Sequence, residues 1–209
     1  MYKKNIFMAV LAVVFTVSSA GAQEYRNKLS SPPNVYYKEM LKRSLTGEYD
    51  MILQVLNQVR PITTALQSKY GARLHSEINY AVKKEQQEEI IYLVLKLIFW
   101  DMVDLLHLVE SETAMPLPVL ASRVRIAYLD YELLALIVRD RDRYAHTRIE
   151  DNFAQAVKVL EHNEVKELTN EEKGRLRGIF RTIEGECLKI FPGFSLQYYT
   201  DGPNAAEKD

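Results

Sequence analysis

The chain has few of the residues that define disulfide-rich, haem-binding or turn-rich proteins. Its 209 residues include one cysteine, Cys187, so it can form no internal disulfide and lacks the two-cysteine motif that attaches c-type haem. The 8 glycines and 7 prolines are too few for a β-sandwich with many turns. Cys187 lies in step with Leu176, Phe180 and Ile183 on the apolar stripe of a helical pattern. We therefore expect Cys187 to be a small buried side chain.

The chain also lacks a charge excess and the short motifs of common enzymes. Its 27 basic and 28 acidic residues become 25 and 28 when a leader containing Lys3 and Lys4 is removed, a net charge of about −3. This balance gives no attraction for nucleic acid or for an anionic membrane, so neither is an expected partner. The phosphate-binding, dinucleotide-binding, zinc-protease and nucleophile-elbow motifs are absent.

The first 22 residues have the pattern of a signal peptide. Lys3 and Lys4 precede an apolar run, Ile6–Val17, that is too short to span a membrane. Ala20–Ala22 reads Ala-Gly-Ala, a cleavage site of the A-x-A type, so the mature chain should begin at Gln23. We expect a bacterial protein of the periplasm, or a secreted one, with no transmembrane anchor after cleavage.

The remaining residues show helical spacing and no alternating strand pattern. Residues 23–33 read as a polar leader, 34–193 as the helical domain and 194–209 as a C-terminal tail. Helical patterns cover about 34–45, 48–70 with Pro61 dividing or kinking it, 73–110 and 119–145. Capping boxes at Thr147 and Thr169 predict two more helix starts, near Arg148 and Asn170. The sequence thus predicts an all-α antiparallel bundle of five or six helices.

The run from Ile90 to His107 is mostly apolar, and its charged residues indicate whether it is a membrane span or a core helix. Lys96, Asp101 and Asp104 interrupt it, so it does not qualify as a membrane span. At about 100° per residue, Asp101 shares its helix face with apolar residues only and should be at least partly buried. A buried carboxylate needs a partner or must become neutral.

The following helical pattern places a second acid, Asp130, on an apolar face. If the two patterns form a hairpin, Asp101 and Asp130 differ in height by about 4.5 Å. They are satisfied by a structural network that includes Arg123 or a tyrosine such as Tyr131 or Tyr92, or they hold a metal ion. Lys96 falls level with Glu132 in the same hairpin, and these two are predicted to form an exposed pair.

Asp104 and His107 form an Asp-x-x-His element, which is related to the Glu-x-x-His element of metal-binding bundles. Such sites need a second copy and further carboxylates, and the chain shows no second copy. The pair is therefore either a metal site or a surface pair in which Asp104 lies near Arg123 or Arg125.

These observations favour an exported, non-enzymatic helical bundle that acts as a binding or interaction protein. One alternative is a bundle that binds or handles a metal ion through Asp101 and Asp130. Another is a structural or assembly partner of an envelope complex. The expected partner is accordingly a small ligand, a metal ion or an envelope protein, and the cofactor, if any, is not identified by the sequence.

Overall fold

Eight α-helices and one short 3₁₀ turn make up the residues that a computed structural model describes, which are 32–111, 115–161 and 167–195. No strand occurs in these ranges, so the predicted all-α class is confirmed, whereas the predicted number of helices is wrong. The predicted signal peptide, most of the predicted leader and most of the predicted tail lie outside the described residues. The helices are α1 (Pro33–Thr46), α2 (Tyr49–Gln58), α3 (Arg60–Tyr70), α4 (Leu74–Lys83), α5 (Gln87–Ser111), α6 (Leu117–Arg141), α7 (Arg143–Glu161) and α8 (Asn170–Ile190), and the 3₁₀ turn is Pro192–Phe194.

Part of the difference in number arises where Pro61 divides the predicted segment 48–70. Helix α2 ends and α3 begins around Val59, two residues before the proline. Proline lacks the N–H that a continuous helix would need at this point. Gly71 then ends α3 with a left-handed φ of 69°, a conformation that glycine adopts without steric cost.

The remaining difference between the predicted and observed numbers of helices arises at Glu85, which divides the predicted segment from Arg73 to Glu110. Glu85 has a left-handed φ of 52°. The Gln86 N–H donates to the Ala81 carbonyl and the Glu85 N–H donates to the Val82 carbonyl, both at 3.0 Å. This pair of hydrogen bonds is a Schellman helix end. Helix α4 therefore stops here and α5 begins in a new direction.

The two predicted capping boxes have different outcomes. Thr169 accepts from the Glu172 N–H while the Glu172 carboxylate accepts from the Thr169 N–H, so this box is confirmed. The prediction of a helix start near Arg148 is wrong, because α7 begins at Arg143. Asp142 Oδ1 accepts from the Ala145 N–H at 2.9 Å and so caps the start of α7. Thr147 lies inside the helix, where its hydroxyl bonds back to a main-chain carbonyl.

Helix α5 is the centre of the fold. It packs against α6 most extensively and also contacts α1, α3, α4 and α8. Between Ile90 and Leu106 only Tyr92 and Lys96 are not buried, so the apolar run is a core helix. None of the helices described is long and apolar enough to cross a membrane.

The carboxyl end of α8 is joined to α5 by aromatic packing. Phe194 of the 3₁₀ turn is buried and stacks on Phe191 with 4.9 Å between the ring centroids. The Trp100 indole Nε1–H donates to the Phe194 carbonyl at 2.8 Å. Cys187 of α8 is buried, as predicted, and its burial raises the pKa of its thiol.

Candidate functional site

Asp101 is fully buried on α5, as its helical phase predicted. The Tyr37 hydroxyl donates to Asp101 Oδ2 at 2.6 Å, and this contact joins α1 to α5. The tyrosines named from the sequence lie elsewhere: the Tyr131 hydroxyl contacts His146, and the Tyr92 hydroxyl points to the Gly193 carbonyl. The kind of partner was thus predicted correctly, but the particular tyrosine was not.

Asp130 and Arg123 of α6 are also buried, with exposures of 0% and 1%. Arg123 Nη1 donates to the Leu108 carbonyl of α5 at 3.2 Å, so the guanidinium reaches across from one central helix to the other. Within the described ranges, no three His, Cys, Asp or Glu side chains are placed to hold a metal ion. The Tyr37 contact is of the kind that a structural polar network around Asp101 requires.

Asp104 lies in a different network from the one predicted. It is 6% exposed, and its Oδ1 accepts from Lys69 Nζ at 2.7 Å and from the Tyr70 hydroxyl at 2.9 Å. The predicted surface pair with Arg123 or Arg125 is wrong, because the end of α3 covers Asp104, and Arg125 pairs with a residue of α7. The position of α3 over α5 depends on tertiary packing, which helical phase does not determine.

His107 continues this network toward α8. Its Nδ1 lies 3.4 Å from the Tyr70 hydroxyl, and its Nε2 lies 3.7 Å from Glu184 Oε2. On the Nδ1 side of the imidazole, the Tyr70 hydroxyl lies between the ring and Asp104. Glu184 lies on the Nε2 side. The two carboxylates thus lie at opposite edges of the ring and do not converge with it on one ion.

The predicted pair between Lys96 and Glu132 does not form in the part of the chain that the structure describes. Lys96 Nζ lies over the Trp100 ring, 5.5 Å from its centroid, and borders a groove beside α4. Glu132 instead lies near Glu150 of α7, and burial together with that carboxylate raises the pKa of Glu132. Lys96 thus lies near α4 and Glu132 lies near α7, although their heights were predicted to match.

Two adjoining grooves run along α4 and α5. The larger has a volume of about 790 Å³ and lies between α4 and the first turns of α5, with Tyr80 at its edge. The smaller has a volume of about 370 Å³ and lies where α3, α4, α5 and the 3₁₀ turn meet. Arg73 and Glu77 border both grooves. The smaller groove is lined by Tyr70, Gly71, Ala72, Arg73, Leu74, Glu77, Lys96, Trp100, Gly193 and Ser195.

Sequence reasoning did not identify these grooves, since their residues come from four separate elements. One signal was present in the sequence: Trp100 is the only tryptophan and Lys96 precedes it by one helical turn. Side chains four residues apart lie on one helix face, so an amphipathic pair at this point could have been noted.

A second polar cluster joins α6 to α7 through Tyr131, His146 and Glu150. The Tyr131 hydroxyl lies 2.8 Å from His146 Nδ1, and His146 Nε2 lies 3.5 Å from Glu150 Oε2. This order has the form of a nucleophile, a base and an orienting acid. Tyr131 is fully buried, however, and its burial raises the pKa of its hydroxyl, so the oxygen is neither accessible nor activated.

Comparison with models of known protein families, with curated proteins and with solved structures found no match for this chain.

Proposed function

We propose that this protein is an exported helical-bundle binding protein without catalytic activity, and that the grooves along α4 and α5 contact its ligand. The observation that carries the proposal is the pair of adjoining grooves that share Arg73 and Glu77. Their volumes, about 370 and 790 Å³, lie in the range of small-molecule sites. Export rests on the signal-peptide pattern of residues 1–22.

The rear wall of the grooves supports a preformed site. Leu93 and Trp100 of α5 are each 5% exposed, so they belong to the core while one edge faces a groove. The Trp100 ring is fixed by its hydrogen bond to the Phe194 carbonyl. A wall of this kind moves little on binding, so less conformational entropy is lost.

The absence of catalytic activity is supported by the state of the two polar clusters. Asp104 is occupied by Lys69 and Tyr70, and Tyr131 is enclosed with His146. A catalytic group must reach a substrate. Tyr70 lines the smaller groove, but its hydroxyl donates to Asp104 inside the fold.

A fragment screen followed by two-dimensional amide NMR tests this proposal on the chain that begins at Gln23. We expect fragment-induced shifts to concentrate between Arg73 and Leu93. Ser76→Phe places a ring in the larger groove and should abolish these fragment-induced shifts. Ser68 is also an exposed helical serine but lies outside the grooves, so Ser68→Phe should leave the shifts unchanged. Shifts confined to other surfaces would contradict the site, and turnover in a broad hydrolase and oxidoreductase screen would contradict the non-enzymatic assignment.

The two alternatives from the sequence stay predictions. Elemental analysis of protein purified from its native host tests the metal-handling alternative, which requires a bound ion that is lost when Asp101 or Asp130 is changed to Asn. Co-purification with other envelope proteins tests the assembly alternative. The described residues give neither alternative a contact that favours it over a binding groove.

A further inference from the structure

The smaller groove contains two cationic side chains without acidic partners. Neither Arg73 nor Lys96 forms an ion pair with any residue that the structure describes. Lys96 is half-buried, and its ammonium group lies over the Trp100 ring. Glu77 is the one carboxylate in the lining, so two cations face one anion across a cavity of about 370 Å³.

The two aromatic residues that line this groove already use their polar atoms inside the fold. The Tyr70 hydroxyl donates to Asp104, and the Trp100 Nε1–H donates to the Phe194 carbonyl. These rings are 4% and 5% exposed, so they present only apolar edges to a ligand and offer no hydrogen-bond donors. The charged donors that remain for a ligand are the guanidinium of Arg73 and the ammonium of Lys96.

We propose that this groove binds a small organic anion, with its carboxylate or phosphate on Arg73 and Lys96 and a small apolar part against the groove-facing edges of Trp100 and Tyr70. A guanidinium pairs with two oxygens of such a headgroup at once, and an ammonium adds a compact positive charge. The volume of about 370 Å³ suits one ring and its headgroup. The inference rests on the proposed binding function and deepens it by naming the chemistry of the ligand.

The fluorescence of Trp100 measures binding directly, because it is the only tryptophan in the chain and it lines the groove. We expect benzoate or phenyl phosphate to give a saturable change, and benzylamine to give none. Benzamide, which has the same ring without the charge, should bind at least about tenfold more weakly, a difference of about 1.4 kcal/mol. Tighter binding of benzoate identifies a carboxylate as the preferred headgroup, and tighter binding of phenyl phosphate identifies a phosphate.

Three single variants test the residues. Arg73→Gln and Lys96→Gln should each raise the Kd by about tenfold or more. Lys83→Gln removes the same charge from the exposed last turn of α4, outside the groove, and should leave the Kd unchanged. Equal affinity for benzoate and benzamide, a change that never saturates, or equal effects of all three variants would each overturn the proposal.

Quenching of Trp100 gives a second readout that needs no ligand. A groove with excess positive charge concentrates iodide and repels caesium. Because iodide is intrinsically the more efficient quencher of indole, the charge is measured by comparing proteins: the ratio of iodide to caesium quenching of Trp100 should fall in the double variant Arg73→Gln with Lys96→Gln. A ratio that is the same in the double variant and in the unaltered protein would overturn the proposal.

The failure of this inference can be distinguished from the failure of the proposed function. If the NMR screen maps neutral or cationic fragments to α4 and α5 while benzoate and phenyl phosphate do not bind, the binding function stands and the anion site is wrong. If no fragment of any charge binds along these helices, both are wrong.

Discussion

Tyr37→Phe tests whether the buried contact between α1 and Asp101 stabilises the fold. Both residues are 0% exposed, and the hydroxyl lies 2.6 Å from Asp101 Oδ2. The substitution removes one oxygen atom and keeps the ring, so the apolar packing of α1 is preserved. Water cannot replace the lost donor without entering the core, and Asp101 would be left with one hydrogen bond fewer.

The expected loss follows from the burial of the acceptor. A buried acceptor that loses its donor costs about 1–3 kcal/mol. We therefore expect Tyr37→Phe to lower the free energy of unfolding by about 2 kcal/mol. Urea denaturation followed by far-ultraviolet circular dichroism measures this value, and the slope of the transition should not change.

Two further variants make the measurement specific. Tyr92→Phe removes a hydroxyl that is 3.5 Å from its acceptor on a side chain that is 36% exposed, so its effect should stay within about 0.5 kcal/mol. With Asp101→Ala as background, Tyr37→Phe should cost no more than about 0.5 kcal/mol, because the hydroxyl then has no acceptor at position 101. A loss below about 0.5 kcal/mol for Tyr37→Phe alone would refute the claim that this contact stabilises the fold.

Three other predictions concern charge, capping and processing. Burial and the neighbouring Glu150 raise the pKa of Glu132 above its unfolded value, so the folded state favours the neutral form of this side chain. The contribution of Glu132 to folding stability is therefore present at acid pH and is lost as the pH rises through the folded pKa. Glu132→Gln should consequently stabilise the protein at pH 7 and make its unfolding less dependent on pH between acid and neutral conditions, as thermal denaturation across that range would show. Thr169→Ala removes a confirmed cap and should lower the free energy of unfolding, measured by urea denaturation, by about 1 kcal/mol. Thr147 lies inside α7, so Thr147→Ala should change that free energy by no more than about 0.5 kcal/mol. Equal losses in the two variants would contradict the helix boundaries. Mass spectrometry of the exported protein should find Gln23 at its N-terminus, and an intact Met1 on such material would contradict the signal-peptide prediction.

Helical periodicity predicted the features that depend on one helix alone. Asp101 and Asp130 are buried because residues at a spacing of three and four share a face, and that rule needs no knowledge of the neighbouring helices. The partner of Asp101 is Tyr37, which lies 64 residues earlier. Nothing in the phase of either helix specifies that α1 packs against this part of α5.

The boundary between α4 and α5 had a signal that the sequence analysis did not use. Residues 83–89 read Lys-Lys-Glu-Gln-Gln-Glu-Glu, nearly two helical turns without an apolar side chain. A core helix needs an apolar residue every three or four positions, so this run is a natural place for an interruption. The left-handed residue there is Glu85, where glycine is usual, and a search for glycine alone would miss it.

The orientation of α5 about its own axis determines both its buried polar contacts and which of its residues line the proposed binding groove. At about 100° per residue, Trp100 and Lys96 lie about 100–140° around α5 from Asp101. A rotation that moved Asp101 away from Tyr37 would carry Lys96 and Trp100 away from Arg73 as well. With an apolar side chain at position 101, α5 could pack in several orientations about its own axis. With a carboxylate there, it needs the orientation in which Tyr37 donates to that carboxylate. In this interpretation the polar residues in the core select the rotation of α5 that brings both cations and the indole to one groove.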